Sequence, residues 1–204
     1  MKKENTEVFL LDKQDVPNIV YVLCNSFENY PVMRFVLNSG KNYFHQLNSL
    51  IHFFVMARIY REEIIIGVGN RTNLFGTALT SNPNKSINNA ELNNLRESLW
   101  LELGLESKSR YQKFSDTAGQ FKIDKPHIHL NMIGIRSEAQ GKGLARKLMD
   151  RVHTLSKSDP NSSGVSLSTE DPEKVSFYQY MGYKIIGEAM VTDQLKTWSF
   201  FKPN

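Results

Sequence analysis

A single cysteine among 204 residues excludes an intramolecular disulfide. Cys24 lies in an apolar helical stretch and reads as a small core residue rather than a nucleophile. No apolar run approaches the ~20 residues that a membrane span requires. The opening "MKKENTEVFLL" is charged and then strand-like, without the apolar region or small-residue cleavage site of a secretory signal. A soluble cytoplasmic protein is the expectation. Basic residues are scattered: 25 Lys and Arg against 21 Asp and Glu give a net charge of +4, with no block of the kind that marks a nucleic-acid arm. No metal is implied, because the five histidines (His45, His52, His127, His129, His153) have no second carboxylate or cysteine at ligand spacing. Repeats and low-complexity segments are lacking too.

What remains is ordinary globular composition, 40% hydrophobic and 23% charged, enough for one domain over 1–204 with a sizeable core. "EVFLLD" (7–12) reads as a strand. Val16, Val20, Leu23 and Phe27 stand at helical spacing after a capping Asp15, and Leu47, Ile51, Phe54 and Val55 repeat the pattern over 42–60. "EIIIGVG" and "NLFGTALTS" form a hairpin around 69–72. A polar loop (81–90) leads to a helix striped by Leu92, Leu95, Leu99 and Leu103, then to a polar helix or loop ending at Pro126. Further on come a strand (127–135), a helix (143–157), a strand (165–169), a helix (172–181) and two strands (183–191, 195–202). The order predicts an α/β fold with a mixed sheet, helices on its faces and at least one strand–helix–strand unit. Trp100 and Trp198 read as core.

The bend between the 127–135 strand and the next helix carries Gln140-Gly141-Lys142-Gly143-Leu144-Ala145. It is not a Walker loop, because Lys142 is followed by Gly143 where a magnesium-binding hydroxyl is needed. Nor is it a dinucleotide fingerprint, since Arg146 stands where Gly or Ala would let helix and strand approach. Two readings stay open: a glycine-rich turn with no ligand, or an anion seat made by the free N–H groups of a helix start. Leu144, Leu148, Val152 and Leu155 would hold that helix down.

Ile135-x-x-x-x-Gln140-Gly141-x-Gly143-x-Ala145 resembles the acyl-CoA-binding motif of the GNAT superfamily of N-acyltransferases. "VSFYQYMGYKII", about thirty residues on, is similar to that family's helix with Tyr followed by Gly-Phe and a strand, with Tyr178 and Gly182-Tyr183 in those places. The hairpin "LFGTALTSNP" also fits. The likeness is strong over 127–190, fair over 1–80 by element order and weak over 81–125. It implies a central, mostly antiparallel twisted sheet with helices on both faces and a helical insertion (81–125) before the fourth strand. It also implies acetyl-CoA as co-substrate, with its diphosphate on the amides of Gln140, Gly141, Lys142, Gly143, Leu144 and Ala145. Ser137 replaces a frequent Pro and Asp171 a frequent Asn. Asp171 reads first as the cap of the helix opened by Pro172, and second as a cofactor contact.

Acyl transfer to an amine needs a proton acceptor, donors for an oxyanion and a proton for the departing thiolate. His129 is the candidate base. On a regular strand, residues 127, 129, 131, 133 and 135 share a face, and several family members carry a base at this offset. The alternative is a packed imidazole bonded to backbone. His127 ranks lower, and Asn131 could orient substrate or water. The resemblance assigns Tyr178 as proton donor to the thiolate, against packing beside Phe177. It assigns the oxyanion donors to amides near Ile133, Gly134 and Ile135, with Gly134 favouring a bulge. Residues 81–125, inserted just before the cofactor strand, are the candidate acceptor-side wall; their Glu91, Glu97, Glu102 and Glu106 could recognise a cation but read first as solvated helix residues. The expected function is transfer of acetyl from acetyl-CoA to a primary amine, on a small molecule or a protein, by direct attack in a ternary complex. The alternative is a non-catalytic acyl-CoA-binding sensor or assembly module. Neither nucleic acid nor membrane is an expected partner, and a monomer or homodimer is expected.

Overall fold

The computed structural model describes residues 6–37, 40–70, 73–84 and 89–204. These form a seven-stranded sheet of β1 (Glu7–Leu11), β2 (Ile65–Asn70), β3 (Asn73–Ser81), β4 (Ile128–Ile135), β5 (Gly164–Thr169), β6 (Lys184–Thr192) and β7 (Leu195–Pro203). The strand order is β1-β2-β3-β4-β5-β7-β6. Only the central β4–β5 pair is parallel, joined through a crossover helix; every other pairing is antiparallel. The expected α/β mixed sheet is therefore what the chain builds.

Helices α1 (Val16–Phe27), α2 (Pro31–Leu37), α3 (Tyr43–Tyr60) and α4 (Ala90–Ala118) contribute to one apolar cluster. In it Ile19, Leu23, Leu47 and Ile51 are almost fully buried. Helices α5 (Leu144–Ser158) and α6 (Pro172–Tyr180) contribute to a second, centred on Leu148, Met149, Val152 and Phe200. The helical spacing in 15–27 and 42–60 thus buries the faces it implied. Residues 31–37 had no element assigned, but Pro31 opens a two-turn helix that buries Val32, Met33, Val36 and Leu37. Seven residues are too few for a periodicity to register. The insertion is one long helix, capped by the Asn89 side chain on the Leu92 N–H (2.9 Å) and bent at Gly104, where φ is 83°. Its second half is the helical form of the expected polar helix or loop. Residues 85–88 of the predicted loop and 71–72 of the predicted hairpin turn lie outside the described residues.

β4 is not regular. Leu79 pairs with Met132 and Thr80 with Leu130, so Asn131 is an extra residue, a bulge against β3. One extra residue reverses the alternation. Leu130, Ile133 and Ile135 pack toward α5, whereas Met132 packs toward α1–α4 and Asn131 accepts a hydrogen bond from Arg58 of α3 (3.0 Å). The expectation that 129, 131, 133 and 135 share one face is therefore wrong. The bulge also lies three residues before Gly134, which does not make it. Gly134 is a close-approach position: a Cβ there would meet Ser26 Oγ of α1 at 2.7 Å.

Candidate active site

β4 and β5 pair over only three rungs, Ile128–Val165, His129–Ser166 and Leu130–Leu167. Beyond them the strands part. Ser168 and Thr169 keep β7 as their partner, while Met132 to Ile135 keep β3. The Arg136 N–H donates to Phe75 O across β3 (2.9 Å). Alternation along an antiparallel ladder then turns the N–H groups of Ile135 and Ile133 away from β3 and into the gap. Gln140 Nε2 reaches Ile135 O from that side (3.2 Å). The gap opens into a cleft of about 960 Å³, lined at one end by the 139–146 bend and at the other by α2, α3 and α4.

At the bend, Gly141 and Gly143 have φ of 74° and 73°, and nothing lies within 4 Å of a Cβ built on either. Left-handed backbone of this kind is costly for most L side chains. Gly143 is the N-cap of α5 and supplies no side chain to its first turn. The free N–H groups and the positive end of the helix dipole therefore face open space. This is a shape and a polarity that fit a diphosphate. Gln140, Gly141, Gly143, Leu144 and Ala145 line the cleft, as do Ile133, Gly134 and Ile135. Lys142 is not in the lining; its ammonium donates to Glu138 O instead (3.2 Å). Asp171 caps α6 through the Glu173 N–H (3.0 Å) and also borders the cleft.

Tyr178 of α6 is 8% exposed and stacks among Phe177, Tyr183 and Phe200, yet it lines the cleft. Its hydroxyl has no hydrogen-bond partner among the described residues. Burial, then the nearby Glu170 and Asp171, push its pKa up to about 12, so it holds its proton at neutral pH. His129 lines the cleft too, on the face toward α1–α4, with Nδ1 2.8 Å from Ser166 Oγ. Burial, then His127 and Arg58, lower its pKa to about 4. The assumption of an ordinary imidazole near 6.5 therefore fails. His127 turns away from the cleft and bonds to Lys125 O (2.7 Å).

Both His129 and His153 carry folded pKa values of about 4. The unfolded chain therefore takes up these protons first as pH falls, since an exposed imidazole titrates near ~6.5. Their contribution to stability is complete above the unfolded value and is lost as pH drops toward 4. Urea midpoints should fall between pH 7 and pH 4.5, and His129→Asn should flatten part of that slope. An unchanged slope would show that the His129 ring is not desolvated.

The sequence reading missed Glu170 and Tyr30. Glu170 directly follows β5 and lines the cleft, accepting from Tyr30 Oη (3.0 Å) and Thr197 Oγ1 (2.7 Å), while its own N–H donates to Tyr30 Oη (3.0 Å). Burial raises its pKa, and these hydrogen bonds oppose that. A carboxylate at the carboxyl end of a central parallel strand was the available signal, because open α/β sheets bind ligands there. Tyr30 lies between α1 and α2 and ties that wall to the far lip of the gap. Tyr30→Phe leaves a buried N–H and a carboxylate oxygen short of a partner, a loss of about 1–3 kcal/mol. A melting point lower by on the order of 5 °C is expected by calorimetry; an unchanged one would mean the clamp bears no strain.

α4 forms the remaining wall with Tyr111, Phe114, Ser115 and Ala118. Glu91, Glu97, Glu102 and Glu106 are solvent-exposed and do not line the cleft. Among the described residues no group of His, Cys, Asp and Glu could hold a metal ion, and no helix is long and apolar enough to cross a membrane.

A family model described as an acetyltransferase (GNAT) domain matches residues 106–199. No curated protein sequence matches the chain. Among solved structures, one described as histone acetyltransferase HPA2 and related acetyltransferase from Corynebacterium glutamicum superimposes with a TM-score of 0.71 at 18% identity, covering 97% of this chain and 96% of the other. The polyamine N-acetyltransferase of Drosophila melanogaster, described as forming N-acetylagmatine, gives 0.60 at 11% identity over 97% and 98%. An agmatine N-acetyltransferase gives 0.63 at 11% identity over 98% and 100%. At such identities the likeness establishes the fold, which is that of GNAT acetyltransferases.

Proposed function

We propose that this chain, built on the GNAT acetyltransferase fold, transfers an acetyl group from acetyl-CoA to a primary amine by direct attack in a ternary complex. The observation that carries the reading is the continuity of one cleft. It runs from the left-handed glycine bend at the start of α5, through the gap between β4 and β5, to the aromatic wall of α2–α4. Acetyl-CoA fits the first two parts; its thioester is the activated acyl group.

The chain's own residues divide the work. The amides of 140–145 hold the diphosphate, and the inward N–H groups of Ile133 and Ile135 face the thioester carbonyl, where negative charge grows as the amine adds. Tyr178, protonated over the whole neutral range, gives its proton to the departing thiolate. His129 is uncharged at neutral pH and accepts a proton only transiently. An imidazole with so low a pKa cannot strip an ordinary alkylammonium, which is far more basic. It can receive the proton once the new C–N bond has acidified the nitrogen. The acceptor, a small amine or an exposed amino group on a protein, occupies the α2–α4 end, and the cytoplasm is the proposed setting.

Calorimetric titration with acetyl-CoA, followed by a CoA-release assay over a panel of amines, tests this. Binding with turnover on at least one amine is the expected result. Binding without turnover on any would favour the non-catalytic acyl-CoA sensor, and no binding would remove both.

A further inference from the structure

Outside the transfer cleft, the crevice where α3 meets the bend of α4 gathers cations. Arg58 and Arg61 come from the end of α3, Arg96 from the first half of α4 and Lys108 from its second half. No carboxylate lines the crevice among the described residues; Glu63, paired with Arg58 Nε at 3.1 Å, offsets one charge. The cavity measures about 370 Å³, within the range of small-molecule sites.

Its walls are flat rings. Trp100 and Tyr111 lie 5.2 Å apart between centroids, and Phe54 lies 6.0 Å from Tyr111. In a straight helix, residues 100 and 111 would be roughly 16 Å apart along the axis. The bend at Gly104 brings them together and opens the crevice between the two halves of α4. Tyr111 is largely enclosed, and its hydroxyl has no hydrogen-bond partner among the described residues. Burial raises its pKa, while Arg58 and Arg96 pull it down, so the phenol sits in the field of both guanidinium groups. Arg58 Nη1 also donates to Asn131 Oδ1 (3.0 Å) and Arg96 Nη1 to Asn93 Oδ1 (3.3 Å), both neutral acceptors, so the positive charge stays concentrated. That charge, a buried phenol with no partner among the described residues and aromatic faces around one crevice suit a single kind of occupant.

We infer that this crevice binds a small molecule in which a carboxylate or phosphate is carried on a flat apolar ring. The anion meets Arg58, Arg61, Arg96 and Lys108, and the ring lies against Trp100 and Tyr111. Phe54, Arg58 and Tyr111 line both this crevice and the transfer cleft, so its occupant leans on the same wall as the acceptor. The inference stands whether or not the cleft transfers acetyl groups.

The sequence holds two tryptophans, so Trp198→Phe leaves Trp100 as the sole reporter. Its fluorescence is titrated with phenyl phosphate, sodium benzoate and inorganic phosphate. A saturable change with phenyl phosphate or benzoate is expected, tighter than with inorganic phosphate. Combining Arg96→Gln with Lys108→Gln should weaken it by roughly tenfold or more. Both side chains are exposed and absent from the cleft lining, so the fold persists and binding in the cleft would be unaffected. No saturable response to either aromatic probe, equal affinity for inorganic phosphate, or unchanged affinity in the double variant would overturn the assignment.

Discussion

Gly141→Asp lowers affinity for acetyl-CoA by at least about a hundredfold, whereas Gly141→Asn lowers it about tenfold. Both variants put a side chain on backbone with φ of 74°. Asn and Asp are the residues that tolerate this region best, so the strain is small and nearly equal in the two. A Cβ at 141 meets nothing within 4 Å, so neither side chain collides with the protein. The two variants differ in one formal charge, aimed at the place where the diphosphate is proposed to sit. Like charges a few ångströms apart in a partly enclosed site repel by more than about 1.4 kcal/mol, which is the gap of at least tenfold expected between them. Calorimetric titrations of the two, alongside melting curves that confirm equal folding, check it. Matched affinities for Asp and Asn would put the diphosphate elsewhere.

Tyr178→Phe should lower kcat by about 10²–10³ while leaving the KM for acetyl-CoA nearly unchanged, the pattern of a lost proton donor. The ring's packing on Phe177, Tyr183 and Phe200 survives, and no hydrogen bond among the described residues is broken, so stability should hold. Because the wild-type hydroxyl titrates at about 12, its ionisation should not shape the pH–rate curve across the neutral range. Steady-state kinetics from pH 6 to 9 separates the possibilities. A variant with wild-type kcat would return Tyr178 to the core.

Much of the fold was legible because its signals are local. The stripes of α1 and α5, the alternation of the outer strands and the glycines of the 140–145 bend each act over a few neighbours. What was not legible depends on distant pairing. The bulge at Asn131 arises from how β3 and β4 align, and it moved His129 off the face of Ile133 and Ile135. The depression of the His129 pKa comes first from the burial of the ring by helices distant in sequence, then from His127 and from Arg58, some seventy residues earlier. Tyr30 and Glu170, 140 positions apart, meet only once β5 runs beneath the turn between α1 and α2. Asp171 was legible as a cap because its partner is two residues away. The two halves of α4 were legible, because the leucine stripe stops at Leu103 and a polar segment follows; the angle at Gly104 and the aromatic wall it creates depend on packing and were not.

The parted strands have one more consequence. A strand edge with free amides and carbonyls normally invites another chain to add to it, a route to aggregation. Here both lips, Asn131–Ile135 and Ser168–Thr169, belong to one molecule and sit in the middle of its sheet rather than at the rim. Helices on either side deny a foreign strand room to lie down, while a slim, extended small molecule can still enter. The chain thus keeps an unfinished ladder without becoming sticky.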